Sequence, residues 1–240
     1  KVGTRTRQRL PYHRENSVAK PPNILFLQTD NQRWDTLGCS GNHIIRTPNV
    51  DRLAAAGAYF PNAFATTPIC AASRASILTG LYRSRHDFDF AQPPFRTEFT
   101  DISYPALMRQ AGYHTGLIGK FGIESYGELM VENCGETLAK MFNHFDNYEH
   151  WTEEGYWIRQ NDGSRRHLTE ITGDKVIDFL RARPDDRPFC LSVSFNAPHA
   201  QNTEGAPQHY YPPTQEAHLY ERKAIPEPAT TAPAFFQALP

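Results

Sequence analysis

Four short polar segments of this 240-residue sequence carry side chains that could act together in catalysis. Asp30 and Asn31 offer oxygen atoms, the ligand type that hard divalent cations take. Cys70 is a potential nucleophile, Lys120 a cation for an anionic substrate, and His199 a group that can donate a proton. Each type alone is common in turns and on surfaces. A shared function therefore depends on whether the fold brings the segments together.

Predicted strands precede three of these segments. The first, Ile24 to Leu27, is a continuous apolar run of the kind that forms a strand buried on both faces, and it ends at the polar residues 28–31. Two further strands are predicted, one ahead of Lys120 and one ahead of His199. They cover Thr115 to Ile118 and Phe189 to Phe195.

Predicted helices alternate with the strands, and several end at a glycine. The helices cover Asn49 to Ala56, a segment from about Ala72 or Ser73 to Gly80, Tyr104 to Ala111, and Glu170 to Arg183; one more strand is predicted over Ala58 to Phe64. This alternation favours an α/β fold with a mainly parallel sheet. Ligands of such sheets bind beyond the carboxyl ends of the strands, where Asp30, Lys120 and residues 196–199 are expected to converge.

The segment from Cys70 to Gly80 places the cysteine at the predicted start of a helix. Unpaired backbone N–H groups and the helix dipole favour an anion there, so a reactive thiol is expected. The alternative is a buried cysteine before a helix that Ser73 caps and Gly80 stops. Physical grounds alone favour that alternative.

The same eleven residues resemble the signature of formylglycine-dependent sulfatases, Cys-x-Pro/Ala-Ser-Arg, three residues, then Leu-Thr-Gly. The resemblance implies that a maturase oxidises Cys70 to Cα-formylglycine, whose hydrated aldehyde supplies the attacking oxygen. It also implies that Arg74, one helical turn further on, neutralises or orients the formylglycine and the sulfate oxygens. The implied fold is the mainly parallel α/β sheet of the alkaline phosphatase superfamily, flanked by helices.

Other segments resemble the same family. Residues 112–122 are similar to its second signature, in which Lys120 aligns with a sulfate-binding lysine, whereas Gly122 stands where a histidine is usual. His199 lies in an Ala-Pro-His segment whose histidine contacts sulfate and protonates the leaving alcohol. The resemblance further implies a divalent cation, Ca²⁺ by analogy, held by Asp30, Asn31 and the modified Cys70; Asn31 replaces an aspartate.

Residues 1–22 are basic and polar and are expected to form a flexible leader. Residues 23–240 are expected to be the N-terminal part of a sulfatase catalytic domain, because the later Asp-Asn or Asp-His ligand pair of the family does not follow His199. On this prediction the chain is truncated relative to the complete domain.

The function implied by the resemblance is hydrolysis of a sulfate monoester, on a sulfated carbohydrate or an aryl sulfate. Two alternatives stay open: a formylglycine-dependent phosphonate or phosphodiester hydrolase, and an inactive sulfatase-like fragment that at most binds sulfated glycans. The expected partners are the sulfated molecule and a maturase, and the expected location is periplasmic or secreted. A net charge of -1 gives no global attraction to nucleic acid, and no apolar run is long enough to span a bilayer.

Overall fold

A four-stranded parallel sheet, in the order β1-β6-β2-β3, is the framework of the computed structural model. The structure describes residues 20–89, 95–123, 134–148, 156–200, 212–213, 216 and 218–227. The strands are β1 (Ile24–Thr29), β2 (His114–Gly119), β3 (His144–Asn147) and β6 (Phe189–Phe195), and β4 (Trp157–Arg159) pairs with β5 (Arg165–His167) in a separate antiparallel hairpin. The predicted α/β class with a mainly parallel sheet is confirmed.

Helices lie between the strands in sequence. They are α1 (Pro48–Ala56), α2 (Cys70–Thr79), α3 (Arg83–His86), α4 (Glu98–Asp101), α5 (Tyr104–Gln110), α6 (Cys134–Met141) and α7 (Leu168–Ala182). Local signals explain several bounds. Ser103 caps α5 by accepting the N–H of Ala106, and Gly80 ends α2 in a left-handed conformation with φ 70°.

Two apolar cores cover opposite faces of the sheet. Neighbouring residues of β2 separate them, because Leu117 packs in the core beneath α2 and α5 whereas Ile118 packs in the core beneath α7. Phenylalanine is the most frequent residue of the core beneath α2 and α5, and each large buried apolar side chain contributes about 1.5–3 kcal/mol by leaving water. Helix α2, which begins at Cys70, is thus fixed to the sheet by packing along its length.

Strand β1 differs from its prediction. It has the predicted position, but Leu25 and Leu27 are 45% and 52% exposed instead of buried on both faces. Helix α7 covers the face of β2 and β6, and within the described ranges β1 pairs on one edge only, with β6. The apolar run correctly indicated a strand of a parallel sheet, but its burial depends on neighbours that the local sequence does not contain.

Two other predictions were wrong in detail. Residues 58–64 form turns and irregular structure, with Phe60 and Phe64 exposed, so their aromatic content did not produce a strand. Helix α2 begins at Cys70, earlier than predicted, with Ile69 as its N-cap. Ser73 consequently lies inside the first turn and is no cap.

Residues 1–19 of the predicted leader, 1–22, lie outside the described residues, and so do most of the residues after Ala200. The described residues from 212 onward form turns, which agrees with the prediction of no regular element there. None of the helices described is both long and apolar enough to cross a membrane.

His86 is a buried titratable group at the end of α3. Its Nδ1 accepts the N–H of Phe88 at 3.2 Å, so the proton of the neutral ring is on Nε2, which lies 3.0 Å from the Ser76 hydroxyl. Burial, reinforced by the charge of Arg83, lowers the pKa of His86 below its ordinary value of 6.5. The folded state therefore holds this histidine neutral.

We expect part of the acid sensitivity of folding to come from His86. The unfolded histidine binds a proton below about pH 6.5, whereas the folded one binds it only at lower pH, so stability falls as pH falls between the two pKa values, by at most about 1.4 kcal/mol for each pH unit. The His86→Gln variant should show a shallower loss between pH 7.5 and 5.5 in urea-denaturation series. Equal slopes for the two proteins would contradict this origin.

Candidate active site

The carboxyl ends of β1, β2 and β6 bring three of the predicted segments to one edge of the sheet. Asp30 directly follows β1, Lys120 follows β2, and the turn from Asn196 to His199 follows β6. Helix α2 begins at the same edge, because Cys70 lies 3.7 Å from Asp30 between Sγ and Oδ1. The convergence predicted from the sequence is what the structure shows.

A buried carboxylate with two cationic partners forms the centre of this site. Asp30 Oδ2 lies 3.0 Å from Lys120 Nζ and 3.4 Å from Arg74 Nη2, and each of the three residues is at most 7% exposed. Burial by itself would raise the pKa of the Asp30 carboxyl. The charges of Lys120 and Arg74, with a smaller contribution from His199, outweigh burial and hold that pKa below its ordinary value.

Arg74 joins the elements of the site through its guanidinium group. Nη1 donates to the backbone carbonyl of Lys120 at 2.7 Å and to the Ser194 hydroxyl at 2.6 Å, while Nη2 faces Asp30. One buried side chain of α2 thereby contacts the ends of β1, β2 and β6. Arg74 makes three hydrogen bonds inside the protein. It therefore holds the Lys120 backbone and the Asp30 carboxylate in place.

The thiol of Cys70 is less acidic than its place at a helix N-terminus predicted. Burial raises the pKa of the Cys70 thiol, and the Asp30 carboxylate beside it adds to the rise; the more distant cations do not compensate. This direction lowers the fraction of thiolate in the unmodified residue. The site favours a neutral group at position 70 that donates a hydrogen bond to Asp30.

Two glycines with positive φ allow the backbone to approach the site closely. A Cβ on Gly119, with φ 100°, would lie 2.0 Å from the carbonyl oxygen of Ser194, so only glycine fits where β2 meets β6. A Cβ on Gly122, with φ 67°, would lie 2.6 Å from Cδ of Arg74. A side chain at position 122 would require Arg74 to shift, so Gly122 and the present position of Arg74 depend on each other.

His199 sits on an anchored turn. Its backbone N–H donates to the carbonyl of Asn196 at 3.0 Å, and the buried hydroxyl of Tyr156 donates to the carbonyl of His199 itself. The ring Nδ1 contacts the carbonyl oxygen of Ala200, which can only accept, so Nδ1 carries a proton. Nε2 is then the ring atom that can exchange a proton with a substrate.

Asn31 is exposed and adopts φ 61°, a left-handed conformation that asparagine tolerates better than most residues. Asp30 is thus the carboxylate that the described residues place beside Cys70. No group of three ligating His, Cys, Asp or Glu side chains occurs in the part of the chain described. Ca²⁺ takes six to eight oxygen ligands, so these residues do not complete a calcium site.

Tyr156 and Ser194 belong to the site but were not singled out in the sequence. Ser192 and Ser194 alternate with apolar residues in β6, and two hydroxyls on one face of a buried strand are a signal of hydrogen bonds to neighbouring side chains. Tyr156 gives no comparable signal, because it lies about forty residues before the turn that it contacts.

The architecture defines the class of protein. A parallel sheet flanked by helices, with polar side chains at the carboxyl ends of its strands, is the alkaline-phosphatase-like fold of the solved structures it matches. The chain belongs to the sulfatase family, whose model, described as Sulfatase, matches residues 22–228.

Individual relatives agree with this membership. The chain is 33% identical to an N-acetylglucosamine-6-O-sulfatase of Bacteroides thetaiotaomicron, over 90% of this chain and 36% of the relative. It is 29% identical to an arylsulfatase of Clostridium perfringens, over 86% of this chain and 48% of the relative. A solved structure in complex with its substrate D-glucosamine-2-N,6-O-disulfate superposes with a TM-score of 0.67 at 31% identity, covering 88% of this chain and 40% of the other. The chain therefore spans less than half the length of these relatives.

We expect Gly122→Ala to destabilise the protein by about 1–3 kcal/mol, because it combines a strained φ with a collision against the fixed Arg74 side chain. Gly112→Ala is the matched control: φ is 90° there, but an added Cβ meets no atom within 4 Å. Urea-denaturation midpoints should place Gly122→Ala clearly below Gly112→Ala. Equal losses in the two variants would show that the Arg74 contact has no effect.

Proposed function

We propose that this chain forms the nucleophile-bearing part of a sulfuric ester hydrolase that cleaves a sulfate monoester. The observation that carries the proposal is the buried cluster of Asp30, Lys120 and Arg74 beside Cys70. Two cations and one carboxylate leave an excess of positive charge at the start of α2, an environment that favours an anionic ester. Membership of the sulfatase family supports sulfate as that anion.

The proposed substrate is a sulfated carbohydrate. This proposal is supported by the relative named N-acetylglucosamine-6-O-sulfatase and by the similar structure solved with a disulfated glucosamine. An aryl sulfate is the corresponding model substrate, since another relative is named an arylsulfatase. The proposal extends to a maturase as partner and to a periplasmic or secreted location.

The nucleophile is proposed to derive from Cys70. Formylglycine at this position would supply a hydrated aldehyde. One of its hydroxyls would attack sulfur as the bond from sulfur to the alcohol oxygen breaks; loss of the proton from the other hydroxyl would then re-form the aldehyde as its carbon–oxygen bond to sulfate breaks. The thiol itself is poorly suited because its pKa is raised. Asp30 Oδ1, 3.7 Å from Sγ, is placed to accept a hydrogen bond from an oxygen-bearing side chain there.

The other residues bind and transfer protons. Lys120 is proposed to hold a sulfate oxygen, since an ammonium group offers three donors to a compact anion. His199 is proposed to protonate the departing alcohol oxygen through Nε2, because Nδ1 is used by the Ala200 carbonyl. Asp30, with Asn31 and the modified Cys70, is proposed to ligate a divalent cation, with further ligands from outside the described residues.

Replacing Cys70 by alanine should abolish hydrolysis of p-nitrophenyl sulfate, with a loss of at least about 10³-fold, because the attacking oxygen is gone. Cys39→Ala, which removes another free cysteine, should keep wild-type turnover. Peptide mass analysis of protein expressed with a maturase should show formylglycine at position 70. An unmodified thiol in an active enzyme would contradict the proposed nucleophile, and faster turnover of a phosphate diester would favour the phosphohydrolase alternative.

Lys120→Met should lower kcat/KM for the aryl sulfate by about 10²–10³-fold, the usual effect of removing one donor that stabilises developing charge. Lys175→Met is the control, since Lys175 lies on α7 and pairs with Asp146 of β3 at 2.8 Å. Steady-state kinetics of the two variants decide the matter. Wild-type rates in Lys120→Met would remove this lysine from the site.

A further inference from the structure

The side chain of Asn196 is a buried amide that finds no hydrogen-bonding partner among the described residues. Asn196 is 5% exposed, and its Oδ1 and Nδ2 are the buried side-chain atoms that find no partner within the described part of the chain. Leaving such a group unpaired costs about 1–3 kcal/mol, and native proteins rarely keep one without a reason. An unpaired polar group of this kind is explained by stored strain, a catalytic role, or pairing with an ordered water, an ion or a ligand.

The row of side chains to which Asn196 belongs leads into the active site. On β6 the hydroxyl of Ser192 contacts Tyr104 and that of Ser194 accepts from Arg74, both on the face covered by α2 and α5. The intervening Val193, like Ala197, packs in the opposite core. By this alternation the side chain of Asn196 continues the serine row, one step beyond the Arg74 contact.

The strand register places this step between the charged residues of the site. Phe195 pairs with Thr29, the residue before Asp30, and Ser194 pairs with Gly119, the residue before Lys120. Asn196 therefore occupies the carboxyl end of the strand that runs between those two. The nucleophile-bearing end of α2 reaches the same point through Asp30.

The backbone of Asn196 is held firmly even though its amide is unpaired. Its carbonyl oxygen accepts the N–H of His199 at 3.0 Å and a longer bond from the Tyr156 hydroxyl at 3.5 Å. The residue thus forms the first position of the turn that carries His199. A donor fixed in this way is preorganised for a ligand and loses little conformational entropy on binding it.

The surrounding charge indicates which ligand the amide takes. Lys120 and Arg74 contribute two positive charges against the single carboxylate of Asp30, and this excess favours an anion. The amide N–H is the half of the Asn196 side chain that can donate to an anionic oxygen.

We propose that Asn196 is a substrate-binding residue whose amide N–H donates to an oxygen of the sulfate group. The inference rests on the proposed sulfate ester hydrolysis and adds a neutral donor to Lys120. It also accounts for an unpaired amide at a place where an apolar side chain of the same size would be more stable.

The test compares Asn196→Leu and Asn196→Asp with the wild-type protein. The measurements are KM for p-nitrophenyl sulfate, the inhibition constant of inorganic sulfate, and the urea-denaturation midpoint. We expect Asn196→Leu to keep or raise the urea-denaturation midpoint, because it removes an unmatched amide. It should also raise the inhibition constant of inorganic sulfate by about tenfold or more, because one donor to the anion is lost. Asn196→Asp should weaken the binding of inorganic sulfate further, since a second carboxylate repels the anion.

Asn143→Leu is the matched control, because the Asn143 amide is paired with Thr115 at the opposite end of β2. It should lower the midpoint and leave sulfate inhibition unchanged. Unchanged inhibition in Asn196→Leu would overturn the proposal and make the amide a purely structural feature. If Asn196→Asp keeps the wild-type inhibition constant for sulfate but binds Ca²⁺ more tightly, the proposal is overturned and Asn196 is instead a cation ligand.

One control separates this inference from the proposed function, and a second covers a variant that does not fold. A wild-type protein that cleaves no aryl sulfate contradicts the proposed function, and calorimetric titration with inorganic sulfate then still compares the Asn196 variants. If Asn196→Leu does not fold, the isosteric Asn196→Asp decides the outcome alone, and unchanged sulfate binding in it contradicts the inference.

Discussion

The buried carboxylate of Asp30 is the constraint on which the rest of this site depends. A charge removed from water must be compensated, and Lys120 and Arg74 provide the compensation from two different elements. Arg74 also bonds the Lys120 carbonyl and the Ser194 hydroxyl, so one ionic cluster fixes α2 against the ends of β1, β2 and β6. The same interactions that satisfy Asp30 therefore set the geometry of the active site.

This cluster also determines which chemistry fits at position 70. A thiolate beside a carboxylate is unfavourable, and the raised pKa of Cys70 expresses that repulsion together with burial. A neutral hydroxyl-bearing group meets no such penalty and can donate to Asp30. The electrostatics thus support a nucleophile made by modifying the cysteine, while leaving the unmodified thiol largely protonated.

Backbone conformation is the second determinant of the site. Gly119 and Gly122 flank Lys120 and let the chain pass against Ser194 and Arg74 with positive φ. Glycine at position 122 is compatible with this close approach of the backbone to Arg74. His199, the proposed proton donor, lies on a turn that Tyr156 holds from a distant part of the chain.

The sequence by itself determined the α/β class, most element positions and the convergence of Asp30, Lys120 and His199, because periodicity, glycine stops and strand ends are local signals. The family signatures added Cys70 and Arg74 to that set. Only the tertiary structure decided the exposure of β1, the raised pKa of Cys70, the internal bonding of Arg74 and the unpaired amide of Asn196. Each of these depends on which residues distant in sequence come into contact, and burial and charge pairing are properties of those contacts.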